Sequence, residues 1–315
     1  MKNMIKWDNL TQMPFTTNVY RGNAPLDRAA LSNPIATLTA GETQYEDDVV
    51  RGQTYYYVLE TVKGSDKVPS NNIQVVALPK KGPGPIALKQ GDYNYGYYGT
   101  IPTRDFIGTQ GILDQTKLVL NAGSAILQLS PTWHKYIRNG KVLYVPNGPL
   151  ISGLWYKNVY DAGCVFGVAG PGPYNAGADV PQSKTVDIGG TKFKVRLMKG
   201  WSDDVTVQPP SSPASSELLN PLLNEWDDLV YPLYEYVPTS QRMANVQQQT
   251  RTQLKLDATN VGRFMCQERW QGSTPIFRGI TVAGRPAVTT IGVDGNVSIT
   301  ANFMSWWPVL ELVEN

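Results

Sequence analysis

The clearest alternation in the chain is "TYYYVLETV" at 54–62. Tyr55, Tyr57, Leu59 and Thr61 fall on one face of an extended strand, and Tyr56, Val58, Glu60 and Val62 on the other. Shorter apolar runs surround it: "VYRG" at 19–22, "PIATLTAG" at 34–41 and "SNNIQVVAL" at 70–78, each bounded by turn residues. Short strands with frequent turns predict a small β-sandwich over residues 1–78. "PKKGPGP", Pro79 to Pro85, holds neither a helix nor a central strand, and 79–89 reads as a linker.

Beyond it the pattern stays strand-rich. "IRNGKVLYV" places Asn139-Gly140 before a strong strand. "VDIGGTKFKVRLM" places Gly189-Gly190 between two strands, with Phe193, Val195 and Leu197 on one face. "IGVDGNVSI" places Asp294-Gly295 between Val293 and Val297. These dipeptides favour hairpins because both central residues need positive φ. Helices are few. "NPLLNEWDDLVYP" predicts one with Asn220 as N-cap, Pro221 in the first turn and Pro232 as the stop. "GLWYKNVYDAG" predicts a shorter one ending at Gly163, and "VQPPSSPASS" at 207–216 reads as a surface loop. The chain closes on "NFMSWWPVLELVEN", its most apolar stretch, where ends normally fray. A terminal strand buried in a core accounts for it.

Composition narrows the function. At 315 residues the chain has room for about two domains. Its 41% hydrophobic and 17% charged residues are globular in character, and abundant Tyr, Gly and Pro favour β structure. A net charge of +2 argues against a nucleic-acid surface, and Lys80-Lys81 reads as a solvated pair in the linker. "MKNMIKWDNL" lacks the apolar core of a secretory signal and no stretch reaches membrane-spanning length, so a soluble product is expected and the sequons at Asn9 and Asn296 carry little weight. His134 is the only histidine and reads as structural or exposed, which leaves zinc sites and His-based triads unsupported. No phosphate-binding glycine loop is present, and neither a cofactor nor a metal is expected.

Two resemblances give the reading its direction. "VYRG", "YEDDVVRGQTYYYVLETV" and "SNNIQVVAL" resemble the later strands of a fibronectin type III domain, which implies that Tyr55 or Tyr57 plugs the sandwich corner and that "MIKWDNL" supplies the early strands, with Trp7 in the core. From about residue 93, "WHKYIRNGKVLYVPNGPL", "LWYKNVYDAGCVFG", "KTVDIGGTKFKVRLMKG", "NEWDDLVYPL", "GRFMCQERW", "IFRGI" and "WWPVLELV" follow in the order of a family of tailed-bacteriophage virion proteins. That family carries a C-type-lectin-like module of the formylglycine-generating-factor kind. The chain departs from its pattern at Trp307, where the family has an arginine, and at "NEWDDL". The resemblance implies that "KVLYVP" and "PVLELV" pair in the core.

The expected architecture is therefore mainly β: a fibronectin-III-like sandwich (1–78), a linker (79–89) and an irregular α+β lectin-like module (90–315) with several hairpins and few helices. The implied role is a structural component of a tailed-phage virion, in a tail, surface appendage or decoration, assembled in multiple copies. Its partners would be other virion proteins and copies of itself, with a host-surface glycan or protein as a further partner, and without nucleic acid or membrane insertion. A host-adhesion protein is the alternative. A formylglycine-type enzyme is the third reading. It would need a reactive thiol, yet the flanks of Cys164 and Cys266 reproduce no enzyme signature. The pairs Asp47-Asp48, Asp203-Asp204 and Asp227-Asp228 read as solvated faces. Tyr93, Tyr95, Tyr97 and Tyr98, set among glycines in "GDYNYGYYGTIP", together with Trp201 and Trp270, are the candidate ligand or partner surface.

Overall fold

The computed structural model describes residues 2–8, 15–50, 53–77, 82–92, 94–174, 176, 178–204, 207, 223–233, 263–270, 274–279, 290–292 and 304–313. The chain is mainly β and divides into two compact units, Met1–Pro79 and Lys80–Asn315.

In the first unit, β1 (Lys2–Lys6) pairs with β4 (Gln44–Asp48) in one sheet. The other joins β3 (Ala36–Leu38), β2 (Thr16–Gly22), β5 (Thr54–Lys63) and β6 (Asp66–Pro69), with β7 (Ile73–Val76) also on β5. Alternation in β5 works as the sequence predicts: Tyr55, Tyr57 and Leu59 enter the core with Ile5, Val19 and Val49, and Trp7 packs against it. The Tyr55 hydroxyl accepts from the Val50 N–H at 2.9 Å, and the Tyr57 hydroxyl donates to Asp47 at 2.6 Å. Asp47 also takes Arg21 at 2.9 Å, so it belongs to a buried network rather than to a solvated face.

In the second unit, β8 (Gln90–Gly91), β9 (Tyr95–Ile101), β11 (Trp133–Arg138), β12 (Lys141–Pro146), β14 (Thr185–Ile188), β15 (Thr191–Leu197) and β20 (Pro308–Leu312) form a seven-stranded sheet in the order β14-β15-β20-β12-β11-β9-β8. All its pairings are antiparallel. The last strand thus lies between β15 and β12, with Leu310 opposite both Val195 and Tyr144. Both predicted hairpins are present, Asn139-Gly140 at φ 49° and 72° and Gly189-Gly190 at 58° and 81°. The hairpin predicted at Asp294-Gly295 lies outside the described residues, as do the sequons, Lys80-Lys81 and all of the 207–216 loop except Val207.

Smaller elements cover this sheet: α1 (Thr109–Thr116), the pair β10 (Ala125–Ile126) and β13 (Ile151–Ser152), α2 (Tyr156–Asp161) and α3 (Glu225–Leu229). A four-stranded sheet runs β18 (Thr290–Gly292), β17 (Thr274–Gly279), β16 (Arg263–Trp270), β19 (Met304–Ser305). One face of the large sheet gives Tyr144, Phe193, Val195 and Leu310 to the main core, which also holds Trp306. The other gives Tyr136, Leu143, Val145 and Val309 to a second core closed by Trp226, Phe264 and Trp307. The two terminal tryptophans therefore enter different cores.

Gly82 to Lys89, read as linker, belongs to the second unit. The Lys135 side chain, wholly buried on β11, donates to the carbonyls of Pro83 at 3.0 Å and Pro85 at 2.7 Å, and its ammonium lies over the Tyr98 ring at 4.8 Å. The Tyr144 hydroxyl donates to Pro83 as well. A buried ammonium needs such oxygens, and this segment supplies them.

Candidate functional site

The buried ion pairs described in the second unit gather around α3. This helix is five residues long, too short to stand alone. Its N-cap is Asn224, whose side chain accepts from the Asp227 N–H at 3.1 Å; the predicted cap, Asn220, lies outside the described residues. Three carboxylates in its first turn suit the positive end of the helix dipole. Each meets an arginine from a different strand. Glu225 takes Arg196 of β15 in a bidentate pair at 2.6 and 2.7 Å. Asp227 takes Arg278 of β17. Asp228 takes Arg138 of β11 at 2.7 Å. Arg138 also holds Asp203 in a bidentate pair at 2.7 and 2.9 Å, and Arg196 also holds Glu311 at 2.8 Å. Asp203, Asp227 and Asp228, expected on solvated faces, are instead paired: Asp227 and Asp228 staple the helix to the sheets, and Asp203 ties the segment after β15 to β11.

Strand parity explains the grouping. Phe193, Val195 and Leu197 enter the main core, so Arg196 and Lys194 point the other way. Arg138, Lys141 and Glu311 share that face with the second core. Burial pushes the Glu225 carboxyl up, and the Arg196 charge and hydrogen bonds more than reverse this, holding it at about 2. Asp228 goes the other way, up to about 6, because burial and the neighbouring Asp203 and Asp227 outweigh an arginine that is already shared.

Beside these pairs lies a cavity of about 290 Å³. Arg196, Glu225 and Glu311 form its floor, Lys141, Lys194 and Lys199 reach its walls, and Phe166, Val168 and Pro173 make one side apolar. Gly167, at φ 70°, brings that apolar side against Arg196: a Cβ there would stand 3.0 Å from its Cδ. Among the described residues, no group of three His, Cys, Asp or Glu side chains could hold a metal ion.

The aromatic residues singled out in the sequence do not form one exposed surface. Tyr98 is buried at 2% exposure and Trp201 at 7%, so neither offers a face to a partner. Tyr95 and Tyr97 are half-buried and pack on the second core, Tyr97 with its ring centroid 5.2 Å from that of Tyr136 and Tyr95 under the Arg138 guanidinium. Tyr93 and the Trp270 side chain lie outside the described residues. His134 is buried, its ring nitrogen Nδ1 3.1 Å from the Tyr97 hydroxyl, and burial holds it down at about 4, neutral at physiological pH. Cys164 and Cys266 are buried free thiols. Burial pushes Cys164 up to about 12 and Cys266 in the same direction. Gly200 lets the backbone pass Cys266, since a Cβ there would meet its Sγ at 2.3 Å.

Sequence reasoning missed the cavity. The signal was available in "KFKVRL", whose two lysines and arginine must face away from its apolar residues. Comparison with protein-family models, with curated proteins and with solved structures found no match.

Proposed function

We propose that this chain is a structural component of a tailed-phage virion, a tail, surface-appendage or decoration protein present in multiple copies. A fibronectin-III-like first unit would be followed by a lectin-like second unit. The reading rests on the order of sequence blocks, and one structural observation supports it: the blocks around "KVLYVP", "KFKVRL" and "PVLELV" converge as neighbouring strands of one sheet, with the last strand in its interior. Such a module holds β20 between two neighbouring strands, as suits a part that must persist in an assembled particle. The charges of α3 are committed to holding elements together, which also favours a scaffold. The formylglycine-type enzyme is disfavoured, because a reactive thiol needs partial exposure and a lowered pKa, whereas Cys266 has neither. A host-adhesion role is the second reading, favoured by the lysine-lined cavity.

The test is mass spectrometry of purified particles from cells that express the chain, followed by electron microscopy with an antibody to the second unit. A fixed copy number in the particle and label at one location are expected. A chain found only in the cell lysate and never in particles would refute the reading.

A further inference from the structure

The cavity beside α3 has an asymmetry that its ion pairs alone do not require. The acids of its floor are consumed. Glu225 and Glu311 have side chains 5% and 9% exposed, with their oxygens turned onto Arg196 and Lys141. Arg196 spends its donors on the same two acids and on the Leu197 carbonyl. What faces an incoming molecule is different. Lys141 is half-exposed, Lys194 and Lys199 are partly exposed, and the one accessible acid, Asp203, is already gripped by Arg138. Lys194 has no ion-pair partner among the described residues, although it sits opposite Glu311 in the strand register. Among the described residues at the mouth, Lys141 is paired with Glu311, Lys199 donates one ammonium hydrogen to the Asp203 carbonyl and keeps two, Lys194 keeps all three, and the Asp203 carboxylate is held by Arg138. Val168 and Pro173 are exposed on the apolar side.

We propose that this cavity binds an anionic sugar residue, its carboxylate held by Lys194 and Lys199 and its ring lying against Val168 and Pro173. The volume is at the small end of the usual range for ligand sites, roughly 300–1,000 Å³, which suits one ring rather than an extended chain. The floor is preorganised, since bidentate arginine pairs fix its side chains before any ligand arrives. A hexuronate has the matching chemistry: one charged substituent and one C–H face. The inference rests on the charge and shape of the cavity and goes beyond the virion reading, which could fail while this one stands.

The experiment is isothermal titration of the full chain with sodium glucuronate, glucose and inorganic phosphate. Glucuronate is expected to bind at least tenfold more tightly than glucose and tenfold more tightly than phosphate. Lys194→Glu should weaken it tenfold or more, and so should raising the salt. Lys199→Gln serves as a second variant, and each variant's thermal melt shows whether the fold is intact. Equal affinity for glucose overturns the charge argument, equal affinity for phosphate overturns the ring contact, and no binding of glucuronate, or no effect of Lys194→Glu in folded protein, overturns the proposal.

Discussion

Replacing Arg196 by Met removes the centre of the charge network and keeps an unbranched apolar chain of about the length of the arginine stem. Arg196 is 3% exposed and holds Glu225 through two bonds and Glu311 through one. Glu311 keeps Lys141 at 2.9 Å. Glu225 keeps only the Lys199 N–H and the more distant Arg138 charge. The stranded group is therefore Glu225. Its carboxyl lies at about 2 against an ordinary 4.5, a difference that amounts to about 3 kcal/mol of folding free energy at neutral pH. Removing one partner of a buried pair costs roughly 3–5 kcal/mol, so the two routes agree in scale. A domain is stable by about 5–15 kcal/mol, and the variant should lose a large part of that.

The pH dependence carries the diagnostic sign. A depressed carboxyl contributes stability that is present above its unfolded value and lost as pH falls through its folded value. In the native protein that window runs from 4.5 down to about 2. Without Arg196, burial is opposed only by the Arg138 and Lys199 charges and the Lys199 N–H. Burial is the largest influence on this carboxyl and should carry it above 4.5, so its ionisation opposes folding and the deficit grows as pH rises from 4 to 7.5. Urea unfolding followed by tryptophan fluorescence reads the second unit, because every tryptophan except Trp7 lies in it. The double variant Arg196→Met/Glu225→Gln should regain most of the loss and lose the pH trend. A deficit under about 1 kcal/mol at pH 7.5, or one that is the same at both pH values, would refute the reasoning.

Asp228→Asn should act in the opposite sense to its neighbour: an acid raised to about 6 from 3.8 opposes folding as pH climbs between those values, so the amide should remove a fall of up to about 3 kcal/mol, measured as urea midpoints at pH 4 and pH 7.5. Lys135→Met should release residues 82–85 from its ammonium, seen as faster amide exchange in that segment and a loss of about 1–3 kcal/mol; unchanged exchange would mean that Tyr144 holds the segment alone. Trp307→Ala empties a fully buried site where the indole N–H donates to the Pro146 carbonyl, and about 3–5 kcal/mol should be lost in the fluorescence assay. Neither cysteine should react with a thiol reagent in native buffer, and both should do so in denaturant; rapid native labelling of Cys266 would reopen the enzyme reading.

The parts legible in the sequence were those set by short-range rules. Asn139-Gly140 and Gly189-Gly190 declared their hairpins through the positive φ that the turn demands. Alternation in "TYYYVLETV" gave the inward face of β5, and the apolar "WWPVLELV" gave a buried terminal strand. The helix predicted within "NPLLNEWDDLVYP" is present as α3, whose described cap is Asn224, while Asn220 lies outside the described residues. The Asn224 side chain accepts from the Asp227 N–H, and the three acids of the first turn each have an arginine waiting. No rule of sequence spacing reports an arginine 29 residues away.

The same limitation hid the cavity. Asp203, Asp227 and Asp228 look solvated because adjacent acids usually are, and nothing near them in the chain contradicts it. Their partners come from β11 and β17, 65, 90 and 51 residues distant. Once those pairings are made, the charge that remains outward is decided by subtraction. Arg138, Arg196 and Arg278 face five carboxylates, Lys141 takes up part of the excess at Glu311, and Lys194 and Lys199, more strongly hydrated than arginine, are left at the mouth. Parity along "KFKVRL" supplies the last step: with Phe193, Val195 and Leu197 in the main core, Lys194 must share the face of Arg196. A chain whose net charge is only +2 thereby presents a local cationic surface, produced by pairing over long sequence distances and not by composition.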